Sequence, residues 1–347
     1  MTPEIAAILG MDGIASGAIY VLIALGIVLI FAVTRVIFVP FGDIAAFTAL
    51  TLAALETRRL PGTVALVTML AGLATLMELA SILRNRAFAR IPRACFFYLL
   101  LPLTPAVLMW LAAGTLMPMP ARIMLSIALI LPVAPLLDRV AFRPIADAPV
   151  LLLLIVALAL HFALVGLGLL FFGPEGVRTR SLTDYSFVAG DVPVSAQMLL
   201  IVAAAAVFSL LLYLFFEFTL TGKALQATAL NRTGARLMGI RPDRTGAIAY
   251  LLGGALAAVS GILIAPVNTI FYDSGLLLGL KAFVGAIIGG LASFPVSAGG
   301  AVFVGLLESF AAFESSAFKE VIVFSVLIPV LLWRSYTWVH AEESPDE

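Results

Sequence analysis

Long apolar runs are the feature that most constrains this chain. The run from Ile14 to Val33 is long enough to cross a bilayer, which takes about 20 helical residues. The stretch from Val150 to Leu160 contains no polar residue, so it lacks the alternation of a transmembrane β-strand. Because hydrocarbon offers no partner for free backbone N–H and C=O groups, each crossing run must be helical. The pattern predicts an all-α polytopic membrane protein.

Composition excludes the other broad classes. The chain is 63% hydrophobic and 12% charged, whereas a soluble domain has about 45–50% apolar and about 25% charged residues. Twenty Lys and Arg balance twenty Asp and Glu, so the basic excess of a nucleic-acid binder is missing. The single cysteine, Cys95, excludes an internal disulfide, and two histidines are too few for a histidine cage. We therefore expect no metal site, no cofactor and no nucleic-acid partner.

Eleven apolar runs, separated by charged residues or by Pro and Gly, are candidate membrane spans. The second and the ninth contain a break and are expected to be re-entrant, so we predict nine to eleven transmembrane helices, some of them broken. The chain is expected to form a single transmembrane domain over residues 1–340, followed by an acidic tail over 341–347. The runs are 14–33, 36–55, 62–82, 96–114, 121–137, 149–171, 196–218, 246–264, 275–294, 296–313 and 320–333.

The distribution of Lys and Arg between the runs predicts the orientation. Three arginine-rich connections are predicted to be cytoplasmic by the positive-inside rule. They are 83–95, 138–148 and 219–245. The connections 172–195 and 265–274 are predicted to lie outside, as is the N-terminus, with the acidic tail in the cytoplasm. Arg58 and Arg59 conflict with this scheme, because they fall on the outer side.

The segment 219–245 is too polar to span a membrane and is predicted to form a short cytoplasmic helix. Thr219 or Thr221 caps its start, since a hydroxyl accepts a bond from a free N–H of the first turn. Gly239 stands where a left-handed residue ends a helix.

Small residues give this predicted helix one face, and Arg232 and Arg236, four residues apart, share the opposite face. Gly234 lies inside the helix and costs about 1 kcal/mol relative to Ala, so packing must hold the helix. Such a helix suits docking into a groove on a soluble partner. An ordinary basic surface loop fits the same residues equally well.

A resemblance favours the docking interpretation. Residues 222–240, GKALQATALNRTGARLMGI, resemble the cytoplasmic coupling segment of bacterial branched-chain amino acid ABC permeases of the LivH type. Residues 138–144, DRVAFRP, and 279–295, which contain GLKAF and GGLASFP, resemble two further family motifs. The resemblance is good over 138–334, fair over 14–50 and poor over 57–130, so we interpret 57–130 as divergent or inserted helices.

The resemblance implies a permease subunit of an importer in the bacterial inner membrane, for branched-chain amino acids or related small amphipathic solutes. It implies a second permease subunit, identical or different, two cytoplasmic ATPase subunits, a periplasmic solute-binding protein and surrounding membrane lipid. The chain has no Gly-x-x-x-x-Gly-Lys-Ser/Thr phosphate loop, so we expect no enzyme activity of its own and no catalytic residue. The implied coupling residues are Gly222, Lys223, Ala227, Arg232, Ala235 and Gly239.

Charged and helix-breaking residues within the runs are candidates for the solute pathway, because a charge in the bilayer costs roughly 2.5–3.5 kcal/mol. Asp43 follows Pro40, and broken helices supply solute contacts in transporters; alternatively, Asp43 caps the second half of a broken helix. Lys281 and Glu308 either line the route or pair with each other. His161 is interpreted as a hydrogen-bonded packing residue. The predicted pathway residues are Pro40, Phe41, Gly42, Asp43, Lys281 and Glu308.

Three departures from the family pattern leave the function open. Phe38 and Phe41 replace an Asn and a His or Gln, and Gln226 replaces an Arg. These changes fit a less polar cargo or a divergent paralogue. The alternatives are an ion-coupled secondary carrier and an assembly subunit without transport. A membrane-embedded enzyme is disfavoured, since the sequence contains no His-Glu-x-x-His motif.

Overall fold

The computed structural model describes residues 2–84, 86, 88–112, 114–146, 148–183, 185–189, 192–326 and 328–332. Within these residues the chain is built from helices and one two-stranded antiparallel sheet. Strand β1, Ser186–Ala189, pairs with β2, Val192–Ser195, in the register Ser186 to Ser195. The predicted all-α class is confirmed, while the predicted tail over 341–347 lies outside the described residues.

Eight helical stretches of the described chain are long and apolar enough to cross a membrane. Six are continuous helices, and two contain irregular turns at prolines or π-helical residues. The continuous ones are α1 Pro3–Thr34, α3 Thr63–Arg84, α8 Val150–Phe172, α9 Ala196–Phe218, α12 Pro242–Ile264 and α14 Phe294–Glu314. The interrupted ones are α4 Ile91–Cys95, a π-helical turn Phe96–Leu100 and α5 Leu101–Ala112, and then α6 Met119–Ile130, α7 Val133–Leu137, a π-helical turn Asp138–Phe142 and a 3₁₀ turn Arg143–Ile145.

Shorter helices complete the chain. Two of them, α2 (Phe41–Glu56) with 16 residues and α13 (Gly275–Ile288) with 14, occupy the second and ninth apolar runs. Both fall short of the roughly 20 residues that cross a bilayer, which agrees with the expectation of broken spans there. The shorter helices are α2 Phe41–Glu56, α10 Leu220–Leu230, α11 Arg232–Leu237, α13 Gly275–Ile288 and α15 Lys319–Ser325, with a 3₁₀ turn at Phe88–Arg90.

The chain divides into two compact units, of which the larger comprises Leu29–Leu182 and Leu212–Gly279. Helix α2 forms its centre, because all its residues except Ala54 and Glu56 are buried. Helix α12 packs against α2 through small residues. A Cβ at Gly261 would overlap the carbonyl oxygen of Ala45, so only glycine permits this approach.

The smaller unit comprises Met1–Val28, Thr183–Leu211 and Leu280–Glu347. Here α1 lies directly on α14, since a Cβ at Gly17 would come within 2.8 Å of the Cα of Val302. The end of α13 contacts the start of α14 in the same way. Gly285 lies against Ala301, and Gly289 against Ser297. Their four-residue spacing therefore permits close helix packing.

Candidate functional site

A break between two helices positions the predicted pathway residues of the larger unit. Helix α1 ends at Thr34 and α2 begins at Phe41, and Arg35 adopts a left-handed conformation with φ of 62°. Pro40, which lacks an N–H, immediately precedes α2. Asp43 consequently lies in the first turn of a new helix, where the helix dipole favours a carboxylate. The predicted helix break before Asp43 is confirmed.

Asp43 is buried and bonded to His161 of α8. Its Oδ2 lies 2.8 Å from Nδ1 of His161, and the two residues are 1% and 2% exposed. Its Oδ1 is buried and has no hydrogen-bond partner among the described residues. A Cβ at Gly275, the first residue of α13, would overlap this oxygen. The carboxylate is thus tethered through one oxygen, and the other remains a free acceptor at the start of α13.

Glycines allow the starts of α2 and α13 to meet at this point. A Cβ at Gly42 would overlap the carbonyl oxygen of Gly275 and lie 2.7 Å from the backbone nitrogen of Gly279. No side chain fits there without moving one helix. The N-terminal ends of two short helices, each with unpaired first-turn N–H groups and a partial positive charge, therefore converge beside Asp43.

Phe38 and Phe41, which replace polar residues of the family pattern, pack in an aromatic cluster. The ring of Phe38 lies 5.2 Å from that of Tyr250, 5.7 Å from that of Phe142 and 6.5 Å from that of Phe41. These separations suit edge-to-face contacts. Pro40, Phe41, Gly42 and Asp43 are all buried, so this part of the site is closed in the structure.

The remaining predicted pathway residues belong to the smaller unit, where they form an ion cluster. Lys281 donates to Oε1 of Glu308 at 2.6 Å and to Oε1 of Glu320 at 3.0 Å. The hydroxyl of Tyr20 donates to Oε2 of Glu308 at 2.5 Å. The pairing of Lys281 with Glu308 was one of the two alternatives that the sequence offered. Both residues are bonded to protein groups in the structure.

Two residues of these clusters were missed at the level of sequence, and the partner of a third was not identified. His161 was predicted to be hydrogen-bonded, but its partner Asp43 lies 118 residues away. Tyr20 and Glu320 were not singled out at all. The available signal was that each is a lone polar group at or within an apolar run. Across the described chain, no group of three or more His, Cys, Asp or Glu residues lies together as a metal site would require.

The predicted coupling segment forms two helices rather than one. The Thr219 hydroxyl caps α10 by accepting from the N–H of Gly222 at 2.9 Å, and Asn231 caps α11 by accepting from the N–H of Gly234 at 2.8 Å. Gly234 therefore lies in a first turn, so placing it inside one helix was wrong. Asn is a strong N-cap, which overrides helix continuation. Gly239, with φ of 81°, ends α11 as predicted.

The coupling residues divide into inward-facing and outward-facing groups. Gly222 and Ala235 are buried, and a Cβ at Gly222 would overlap the backbone of Phe215. Ala227 is half-buried, and Lys223 and Gly239 are exposed. The outer surface instead carries large apolar side chains. These are Leu230, Leu237 and Met238, which are 87%, 84% and 83% exposed.

Arg232 faces the interior of the larger unit. It lines a cavity of ≈ 40 Å³ together with Asp138, Arg143 and Asp243, and its Nε is buried without a hydrogen-bond partner in the described part of the chain. The same cavity is lined by Thr34, the last residue of α1. Arg232 and Thr34, at the helix break before Asp43, therefore line one small cavity.

These helices and buried ionic groups define the class: a multi-pass helical membrane protein. A family model described as "Branched-chain amino acid transport system / permease component" matches residues 10–331. The chain belongs to this permease family. The match also runs through 57–130, the region in which the resemblance was poor.

Individual relatives share about a third of the aligned residues. The chain is 30% identical to the high-affinity branched-chain amino acid transport system permease protein LivH of Escherichia coli (strain K12) over 203 residues, 56% of this chain and 66% of LivH. It is 31% identical to BraD of Pseudomonas aeruginosa over 57% of this chain and 67% of BraD. It is 31% identical to the autoinducer 2 import permease LsrC of Shigella flexneri over 28% of this chain and 30% of LsrC. The aligned part thus spans just under two thirds of LivH, and no solved structure matches.

Proposed function

We propose that this chain is a membrane-spanning permease subunit of an ABC importer in the bacterial inner membrane. Its cargo is a branched-chain amino acid or a related small amphipathic solute. It works with a second permease subunit, two cytoplasmic ATPase subunits and a periplasmic solute-binding protein. The observation that carries this proposal is the family match, which extends over residues 10–331 of the 347.

The surroundings of Asp43 support an amino acid as cargo. A zwitterion needs an acceptor for its ammonium group and donors for its carboxylate. The free Oδ1 of Asp43 offers the acceptor, and the converging N-terminal ends of α2 and α13 offer N–H donors. Because Pro40 to Asp43 are buried, solute enters only when the starts of these two helices separate.

The segment 219–245 supports coupling to an external ATPase. Leu230, Leu237 and Met238 are exposed on or directly after short, capped helices in a connection predicted to be cytoplasmic, and exposed apolar patches are typical of docking surfaces. A movement of α11 would displace Arg232. Thr34, at the end of α1, lines the same small cavity and would move with it. That movement would alter the break that holds Asp43.

The decisive experiment is uptake of radiolabelled leucine into proteoliposomes that contain the complete complex with internal ATP. We expect Arg232→Ala to lower ATP-driven uptake by about tenfold or more, within the usual range of coupling energies. The matched control is Arg84→Ala, an exposed arginine at the end of α3, in another connection predicted to be cytoplasmic, that does not line the cavity. Uptake by the control should stay near that of the parent protein. Equal uptake by both variants would remove the coupling role of Arg232.

The same assay separates the alternatives. Uptake that is driven by an ion gradient without ATP identifies an ion-coupled secondary carrier. A complex that assembles, hydrolyses ATP and moves no solute identifies an assembly subunit. Stimulation of ATP hydrolysis by the solute-loaded binding protein, together with uptake, supports the importer.

A further inference from the structure

An apolar groove runs along one side of the larger unit. It encloses ≈ 590 Å³ between the 97–108, 125–136 and 247–251 stretches. Its walls are Leu, Pro, Ala and Phe side chains, with only Tyr98 and Thr104 adding polar groups. Much of the wall belongs to 57–130, where the resemblance to the family is poorest. A groove of this kind accommodates an extended hydrocarbon chain rather than a polar solute.

A second cleft, of ≈ 520 Å³, continues from the groove. The two spaces share four lining residues, so a single molecule can occupy both. These are Phe97, Tyr98, Ala247 and Ile248. The second cleft differs in its charge, because four arginines line it. They are Arg93, Arg143, Arg241 and Arg244.

The positive charge of this cleft is only partly neutralised. Two carboxylates also line it, Glu78 and Asp243, and Glu78 forms an ion pair with Arg139. In the part of the chain that the structure describes, Arg93, Arg241 and Arg244 have no carboxylate within 4.0 Å.

Arg143, which lines the cleft, is held in place by three neighbouring groups. Its Nη1 donates to the Tyr98 hydroxyl at 3.2 Å, its Nη2 to the backbone carbonyl of Asp243 at 2.8 Å, and its Nε lies 3.3 Å from Asp138. A guanidinium fixed in this way loses little freedom when it meets an anion. The cleft therefore combines one rigid arginine with three that form no ion pair among the described residues, of which Arg93 lies 5.7 Å from the centre of the Phe97 ring.

We propose that these two spaces form one binding site for an anionic phospholipid, with its phosphate among the arginines and an acyl chain in the apolar groove. All four arginines come from connections predicted to be cytoplasmic, and basic pockets beside membrane helices on that side suit anionic headgroups. An apolar helix of a second permease subunit would fill the groove but would provide no anionic partner for the four arginines. The proposal concerns the membrane environment and does not depend on the proposed transport function.

Native mass spectrometry of the purified, detergent-solubilised chain tests this site with phosphatidylglycerol and phosphatidylcholine as probes. Arg93→Gln/Arg244→Gln should weaken phosphatidylglycerol binding by about tenfold or more, since each cationic residue contributes about fivefold near an anionic headgroup. Ala128→Trp, which fills the apolar groove, should weaken it comparably. Leu108→Trp repeats this test from the opposite wall, with thermal unfolding measured for every variant.

The control is Arg236→Gln, which removes an exposed arginine of the same predicted membrane side that lines neither space. Its lipid binding should match that of the parent chain. The proposal is overturned if the parent chain binds phosphatidylglycerol and phosphatidylcholine equally well. It is also overturned if Arg236→Gln weakens phosphatidylglycerol binding as much as the double arginine variant does. Arginine variants that lose binding while both folded tryptophan variants retain it also overturn the proposal, because the groove then holds no acyl chain. Lipid displacement from the groove by a second permease subunit would assign the groove to that subunit instead.

Discussion

The two compact units each bury an ionic cluster, and the clusters differ in the cation beside their carboxylates. In the smaller unit, Lys281 bridges Glu308 and Glu320, and Tyr20 donates to the remaining oxygen of Glu308, while Oε2 of Glu320 is buried without a hydrogen-bond partner among the described residues. In the larger unit, Asp43 has a single partner, His161, and its second oxygen has none among the described residues.

This difference separates a structural cluster from a candidate binding group. Two buried carboxylates that share a lysine depend on that cation, because removing it leaves uncompensated buried charge. A buried carboxylate without a Lys or Arg partner is costly unless a cationic group binds it during function. We therefore expect variants of the first cluster to lower stability, and variants of the second to lower uptake.

The largest effect on stability is expected for Lys281→Met. The substitution leaves Glu308 and Glu320 without their shared cation, which should cost about 3–5 kcal/mol of unfolding free energy. Denaturant unfolding in detergent measures this. Lys319→Met is the control, because Lys319 lies at the surface, 4.0 Å from Glu320. A loss below about 1 kcal/mol for Lys281→Met would show that the smaller unit does not depend on its ion cluster.

An intermediate effect is expected for Gly42→Ala. The added Cβ overlaps the Gly275 carbonyl oxygen, so α2 and α13 must separate at a cost of about 1–3 kcal/mol. The control is Gly72→Ala in α3, where a Cβ meets nothing within 4 Å. That change should stabilise the protein by about 0.4–1 kcal/mol, because alanine restricts the unfolded chain. Unfolding of both variants in parallel decides whether the two helix starts truly meet.

The smallest effect on stability is expected for Asp43→Asn. The amide keeps the shape of the side chain and can accept from His161, so unfolding should change by about 1 kcal/mol or less. Leucine uptake should nevertheless fall by about tenfold or more, because the negative acceptor is lost. Glu308→Gln is the informative comparison: it should lower stability and leave uptake per folded molecule nearly intact. If Glu308→Gln lowers uptake and Asp43→Asn lowers only stability, the Glu308 cluster is the binding group and the Asp43 cluster is structural.

Much of the fold was predictable because its causes are local. The length and apolarity of each run predict a helix wherever the chain meets hydrocarbon, and the helices follow these runs closely. The cap at Thr219 and the end of α11 at Gly239 depend on residue type within one turn, so they too were predicted. The division of the coupling segment at Asn231 depends on an equally local cap that was overlooked.

Contacts between distant residues had no such local cause. In the sequence, Asp43 and His161 are each a single polar residue in an apolar run, 118 residues apart. Only the packing of α2 against α8 brings their side chains together. Which helices become neighbours also decides that Ala235 and Arg232 face inward. The same choice of neighbours places the apolar groove beside the arginine-lined cleft. Hydrophobicity along the chain decides that each segment is a helix in a membrane. Close packing between glycine-lined faces decides which polar atoms find partners and which remain free, because that packing is a property of pairs of helices rather than of either one.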